Sequence, residues 1–239
     1  MSAPEASPPE RYTGGNVLID SLPDRDRAHL AECLEVFSTD VPDCIVLHGQ
    51  RFEDVIFPID SIFSVTAELR LGNVYEVAAI GRQGVIGAEV ALGGIVAPRS
   101  IMSEVDGRAA RMRCAAFVDA VRASPALARA VHRHFLHRLF IAEQFVACNF
   151  AHDVSQRCAR WVLMLSDELG REEFGLRTEF LGMMLGMSPA AAAESAGDLQ
   201  RMEAIRYTNE RIAVIDVEAL LTITCECYAA QRRYAPLAA

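Results

Sequence analysis

Apolar positions along the chain fall into three textures, and each predicts a different kind of element. From Asn16 to Phe37 they recur at helical spacing (Val17, Leu18, Leu22, Leu30, Leu34), with Pro23 and Asp24 opening a second short helix. From Cys44 the pattern changes to short β-rich runs: CIVLHG, DVIFPI, SIFSVTAEL, NVYEVAAI, GVIGAEVAL, SIMSEV and GRAARM. Gly49, Pro58, Gly72-Asn73, Gly93-Gly94 and Asp106-Gly107 separate them at fairly regular intervals. Short strands punctuated in this way predict an antiparallel sandwich or roll.

Near Ala115 the period returns to 3.6. AAFVDAVRAS reads as a short helix, and Pro125 starts a long one that reaches about Asn149. Val131, Phe135, Leu139, Ala142 and Val146 form a stripe along it, with Leu136, Phe140 and Phe145 off the stripe. So wide an apolar surface predicts a helix that covers the roll and also meets a second chain as a homodimer. The alternative is a helix internal to one subunit.

Asp153 to Leu169 is amphipathic and stops at Gly170. Two helices joined by a tight turn follow, GLRTEFLGMMLG and SPAAAAESAGDLQRMEA, then a hairpin, IRYTNERIAVID, and a final helix containing LLTITCECYAA. Helix, turn, helix and β-ribbon together predict a winged helix-turn-helix. The expected class is therefore α+β, with an N-terminal antiparallel β-roll of the cupin-like jelly-roll kind. The divisions are a disordered tail at 1–15, a sensor roll at 16–123, a dimerisation helix at 124–150 and a winged domain at 151–239.

Composition narrows the functional classes. With 51% apolar and 23% charged residues the chain can bury a core. Charged residues interrupt every long apolar run, so no membrane span is expected, and the acidic, proline-rich start lacks the apolar stretch of a signal peptide. The cytoplasm is the expected compartment. Formal charge is −9, and every basic residue is Arg, so DNA affinity would have to come from a local basic patch.

Specific strings resemble the Crp/Fnr regulators. VIFP at 55–58, SVTAEL, and EVAAIGRQGVIGAEVALGG at 76–94 are similar to the sensor roll of one subgroup. ACNFAHDVSQRCARWVLMLSDELG at 147–170 looks like its hinge and first DNA-domain helix. EFLGMMLGMS at 179–188 resembles its helix-turn-helix entry, and CECY at 225–228 its C-terminal signature. The resemblance runs from about Leu18 to Tyr234 and implies a dimeric transcription regulator that binds DNA.

Aligned through Leu185-Gly186-Met187-Ser188, the family's base-reading positions fall near Pro189, Ala190, Ala191 and Glu194, where relatives usually carry Arg first and often last. Here those two places hold a proline and a carboxylate. Ser188 is a good N-cap and Pro189 suits the first helical position, so the scaffold is expected to persist without its guanine-reading side chains. Residues 151–239 hold nine Arg against thirteen Asp plus Glu, a net of −4. At the wing tip, where a basic residue and Gly are typical, stand Asn209 and Glu210. The residues left for DNA are Thr178, Ser188, Pro189, Ala190, Glu194, Arg201, Arg206 and Arg211, with Arg157 and Arg160 as further phosphate contacts. Three readings stay open: a regulator with altered sequence readout, a regulator acting through a protein partner, and a small-ligand sensor without DNA binding.

The family's use of the roll implies a small-molecule effector, with Glu89 toward a ribose and Arg99 and Ser100 toward a cyclic phosphate. Ala88 and Ile101 depart from that pattern, and the competing expectation is that Arg99 lies on an exposed loop while Glu89 pairs with a neighbouring Arg. No cofactor and no metal are expected. Oxygen-sensing relatives hold an iron–sulfur cluster through clustered N-terminal cysteines, and none precedes Cys33 here. Cys225 and Cys227, two apart on one helix, would point away from each other unless that segment is extended, and Cys148 with His152 reads as packing. No nucleophile elbow, phosphate-binding loop or HExxH motif occurs, so enzyme activity is not expected.

Overall fold

The computed structural model describes residues 10–234. The tail expected at 1–15 lies outside them as far as residue 9. Its remainder is ordered, because β1 (Glu10–Arg11) pairs with β2 (Glu35–Thr39) and Tyr12 is buried. Two short helices intervene, α1 (Val17–Asp20) and α2 (Asp24–Cys33). Asn16 caps α1 by accepting from the Ile19 amide, and its own amide donates to Pro58 and Gly84 carbonyls at 2.9 and 3.0 Å. One buried polar side chain thereby ties the N-terminal helix to the roll.

The roll follows with β3 (Asp43–Val46), β4 (Asp54–Pro58), β5 (Ile62–Glu68), β6 (Val74–Ile80), β7 (Ser100–Val105) and β8 (Gly107–Arg113). They form two antiparallel four-stranded sheets, ordered β1-β2-β8-β4 and β3-β7-β5-β6. Ile56, Phe63, Val65, Ile101 and Ala109 fill the space between, while Val55 and Phe57 on the other face of β4 pack against the helices. Two sequence expectations are corrected. The helical pattern carried as far as Phe37 stops at Cys33, and β2 begins at Glu35. GVIGAEVAL is not a strand: Gly87, at φ +77°, turns the chain into a 3-10 segment over Ala88–Leu92, leaving only the Ile56–Ile86 bridge. A Cβ at Gly87 would also lie 3.0 Å from the Asp54 carbonyl.

Helix α3 (Cys114–Ala123) closes the roll, with Phe117 edge-on to Phe57 at 6.0 Å. Ser124 caps the long α4 (Pro125–Ala151) by accepting from the Leu127 amide. After an elbow at His152, α5 (Val154–Leu169) starts in a capping box between Asp153 and Gln156 and ends at Gly170 in the left-handed region. The rest is β9 (Glu173–Gly175), α6 (Thr178–Leu185), α7 (Pro189–Arg201), β10 (Ile205–Thr208), β11 (Arg211–Val214), α8 (Val217–Ile223) and α9 (Cys227–Arg233).

The expected hairpin gains a third strand, in order β10-β11-β9. The expected single final helix is two, because the backbone is extended at Thr224. Trp161, Phe174, Phe180, Leu199 and Ile212 centre the C-terminal core, which runs without a break onto Ile62 and Val105 of the roll.

Candidate nucleic-acid interface and sensor roll

The helix-turn-helix is made by glycines at the two places where only glycine fits. Gly186, at φ +71°, ends α6, and a Cβ on Gly182 would lie 2.9 Å from the Met187 carbonyl oxygen. Met187 donates back to the Gly182 carbonyl at 3.0 Å. Ser188 then accepts from the Ala191 amide and starts α7 with Pro189 in its first turn. Ala192, Ala196 and Leu199 face the core as expected, but Met202 lies past the helix and is exposed.

Solvent therefore meets Ser188, Pro189, Ala190 and Glu194 on the outer face of α7, with Ala191 half-buried. The arginines nearby are mostly engaged. Arg201 pairs with Asp198, and Arg211 pairs with Glu173 at 3.4 Å. Arg157 donates to Asn149 and to the Leu185 carbonyl. Arg160 is 1% exposed, lying over the Phe145 and Trp161 rings, so it cannot reach a phosphate; that expectation is corrected. Arg206 is exposed and has no ion-pair partner among the described residues. Thr178, half-buried, donates to Glu179 beside it. At the wing tip Asn209 and Glu210 have φ of +51° and +57°, the backbone of a type I′ hairpin turn.

In the roll the three expected ligand residues separate. Glu89, on the 3-10 segment, accepts from Arg138 of α4 at 3.2 Å. Arg99 is exposed and donates to the carbonyl of Pro98 before it. Ser100 accepts from the His48 amide at 3.0 Å. Arg99 and Ser100 border a cleft of about 460 Å3 that Arg177, Glu179 and Met183 of the helix-turn-helix close from the other side, and Glu89 does not line it. The Arg138 link was not visible in the sequence, because the two residues are 49 positions apart.

A second cavity of about 240 Å3 lies between β6, α4 and α5, walled by Ile80, Ile141, Phe145, Trp161 and Leu165. His134 opens on it with Nε2 unpaired, and burial pushes this imidazole down to about 3. It is a neutral group at any ordinary pH.

Residues 156–223 match the family model of the Crp-like helix-turn-helix domain. Among solved structures, FixK2 of Bradyrhizobium japonicum superposes with a TM-score of 0.69 at 15% identity, over 80% of this chain and 98% of that one. A CRP-family transcriptional regulator of Thermus thermophilus gives 0.64 at 15% identity, over 81% and 96%. A putative cAMP-binding regulatory protein of Silicibacter pomeroyi gives 0.62 at 20% identity, over 86% and 93%. No curated protein sequence matches the chain. The fold is that of the Crp/Fnr-type transcriptional regulators. Solved proteins similar to this chain are regulators, and no described helix is long and apolar enough to cross a membrane.

The long helix of this Crp/Fnr fold divides its apolar residues between two faces. Val131 is 1% exposed and packs into the roll core, and Phe135 is half-buried against the same core. Both leave the stripe expected to meet a second chain, because the roll of their own chain covers them. Leu139, Ala142 and Val146 stay exposed, and Leu136 and Phe150 join them. Leu136, Leu139, Glu143, Val146 and Phe150 are spaced three, four, three and four apart, a heptad seam turned to solvent. Leu136 is 67% and Phe150 90% exposed. Leu136 was legible as apolar in the sequence, but only the roll's position tells which side of the helix is free.

Proposed function

We propose that the chain acts as a homodimeric transcription regulator whose α4 seams pair and whose Crp-like domains hold DNA through phosphate and shape rather than guanine readout. The observation that carries this is the outer face of α7. It presents Ser188, Pro189, Ala190 and Glu194, so no guanidinium stands where the fold offers base contacts. What remains for DNA is the amide-rich start of α7, capped by Ser188, together with Arg206 and, once freed from their carboxylates, Arg201 and Arg211.

A bidentate arginine–guanine contact contributes about 1–3 kcal/mol, so the absence of two per subunit removes most discrimination among sequences. Glu179, Glu194 and Glu210 oppose phosphate at the same surface. The second reading, action through a protein partner, draws on that acidic face.

For the roll, the Glu89–Arg138 pair and the exposed Arg99 argue against a cyclic-nucleotide site. An effector would have to be an apolar small molecule in the cavity beside His134, shifting the balance between arrangements of the winged domains. Mobility shifts over a salt series, on random and on enriched duplexes, test the proposal. Binding with a steep salt slope and little sequence preference is expected. Tight binding to one sequence defeats the readout claim, and no binding at low salt defeats the DNA claim in favour of the partner.

A further inference from the structure

Four side chains that the regulator reading does not use meet at the elbow between the long helix and the winged domain. Cys148 and His152, one turn apart at the end of α4, lie on one face of that helix. The break between α8 and α9 turns Cys225 and Cys227 to the same point instead of splaying them. The four ligand atoms all lie within 4.8 Å of one another. Cys148 Sγ and Cys225 Sγ are 3.6 Å apart, and Cys227 Sγ is 3.7 Å from His152 Nδ1. Zinc–sulfur bonds of about 2.3 Å set tetrahedral edges of about 3.8 Å, so these separations are those of ligands around one ion.

The surroundings complete such a site. His152 Nε2 lies 3.1 Å from a Glu226 carboxylate oxygen, which fixes the tautomer that aims Nδ1 at the sulfurs. Carboxylate, histidine and metal in line is the usual outer support of a metal-bound imidazole. The Gln144 amide donates to Cys227 Sγ at 3.1 Å. Arg160 is buried with no carboxylate at ion-pair distance among the described residues, although Glu76 bears on it from further away. Its guanidinium lies beside Cys148, Cys225 and Cys227. Three thiolates around a dication carry one net negative charge, which the Arg160 guanidinium neutralises; a buried cation needs such a partner.

We propose that Cys148, His152, Cys225 and Cys227 form a closed structural zinc site that fastens the C-terminal α8–α9 break to the elbow at His152. All four positions are protein ligands, so no open position is left for chemistry on a substrate. An iron–sulfur cluster, which interposes several atoms between its ligands, does not fit so tight a set. The ion sets the angle between the long helix and the Crp-like domain, because His152 is one of the two residues between α4 and α5. Without metal the three cysteines are free thiols. Binding displaces their protons to solvent, as coordination of a thiol by a dication does.

The test uses the full chain. Elemental analysis of protein purified without added metal is expected to give about one zinc per chain. Cobalt(II) added to the reduced, chelator-treated protein is expected to give the thiolate charge-transfer and intense visible bands of a tetrahedral centre. Cys225→Ser and His152→Ala should each lower metal occupancy at least roughly tenfold, whereas Cys158→Ala and Cys33→Ser keep it. Should the ligand variants fail to fold, the cobalt titration of the natural sequence still decides. No metal on purification together with no cobalt spectrum overturns the proposal. So does mass spectrometry finding Cys148 and Cys225 joined as a disulfide in freshly purified protein.

Discussion

Arg177, at the start of the helix-turn-helix, donates to the Glu104 carboxylate of the roll at 2.7 Å, and Glu104 is 2% exposed. The pair pins α6 against the sheet that carries β7. Burial holds the Glu104 carboxyl above the ordinary range even so, with Arg177 pulling it down. Arg177→Ala removes the cation bonded to a buried acid, at a loss of about 3–5 kcal/mol. Chemical denaturation should show that loss, and proteolysis should open the boundary between roll and winged domain. An unchanged midpoint would mean that this pair contributes nothing net to holding the two units together.

Glu168 makes the same boundary sensitive to pH. Its carboxylate accepts from the Gln83 amide at 3.1 Å, and burial lifts its pKa to about 7, with Asp167 adding to the rise and Gln83, Arg82 and Gly81 opposing it. A raised acid contributes stability that is complete below about 4.5, its ordinary value, and is lost as pH climbs through about 7. His134, depressed to about 3, acts the other way: its contribution is present above 6.5 and fades as pH falls. Between pH 4.5 and 6.5 the two slopes oppose each other, and between pH 6.5 and 8 Glu168 dominates, so stability should fall there by about 1 kcal/mol. Glu168→Gln should flatten that slope in parallel denaturant titrations while leaving the acid limb in place.

The seam along α4 is tested by one charge. Leu139 is 57% exposed in the single chain, second in the heptad row. In the proposed dimer Leu139→Glu sets two carboxylates against each other across a two-fold axis, and the dissociation constant should rise at least roughly a hundredfold. Sedimentation velocity reads this directly. Val131→Ala is the contrast: it leaves a void in the roll core, lowering stability by about 1–2 kcal/mol with the dimer intact.

These residues also show where the sequence was readable. Asp153, Gln156 and Gly170 delimit α5 because caps are local signals, and Gly186 with Ser188 marks the turn for the same reason. Val131 and Leu136 look alike in the sequence. Which one the roll covers depends on packing between segments far apart, so the apolar stripe mixed the two faces. GVIGAEVAL has the composition of a strand, and only the left-handed turn at Gly87 makes it something else. The cysteine cluster was hidden twice over. Its halves are 77 positions apart, and the break at Thr224 has no proline or glycine to announce it.

The wing tip carries strain that a single substitution can release. Glu210 sits at φ +57°, where a side chain with a Cβ is disfavoured by about 1 kcal/mol and glycine is not. Glu210→Gly should stabilise the hairpin by that amount and also remove a negative charge from the surface proposed to face DNA. Both effects have separate readings: the denaturation midpoint for the first, and low-salt affinity for random duplex for the second. A gain in neither would place the wing away from DNA and unstrained.

Arginines can be placed at the proposed reading positions of α7, which makes the proposal of weak base readout testable. Pro189 is the first residue of α7 and supplies no core contact, and Glu194 is exposed just over a turn further on. Pro189→Arg with Glu194→Arg leaves the Ser188 cap, Ala192, Ala196 and Leu199 untouched, so the helix should form as before. A cation in the first turn opposes the helix dipole by a few tenths of a kcal/mol, well below the roughly 1–3 kcal/mol that each guanine contact contributes. Selection from random duplexes should then recover a two-fold symmetric site with half-sites one DNA turn, about 34 Å, apart. The ratio of specific to random affinity should rise roughly tenfold or more for each contact restored. If the doubly substituted protein folds, dimerises and still shows no preferred sequence, the missing arginines are not what limits readout, and the outer face of α7 serves a protein contact instead.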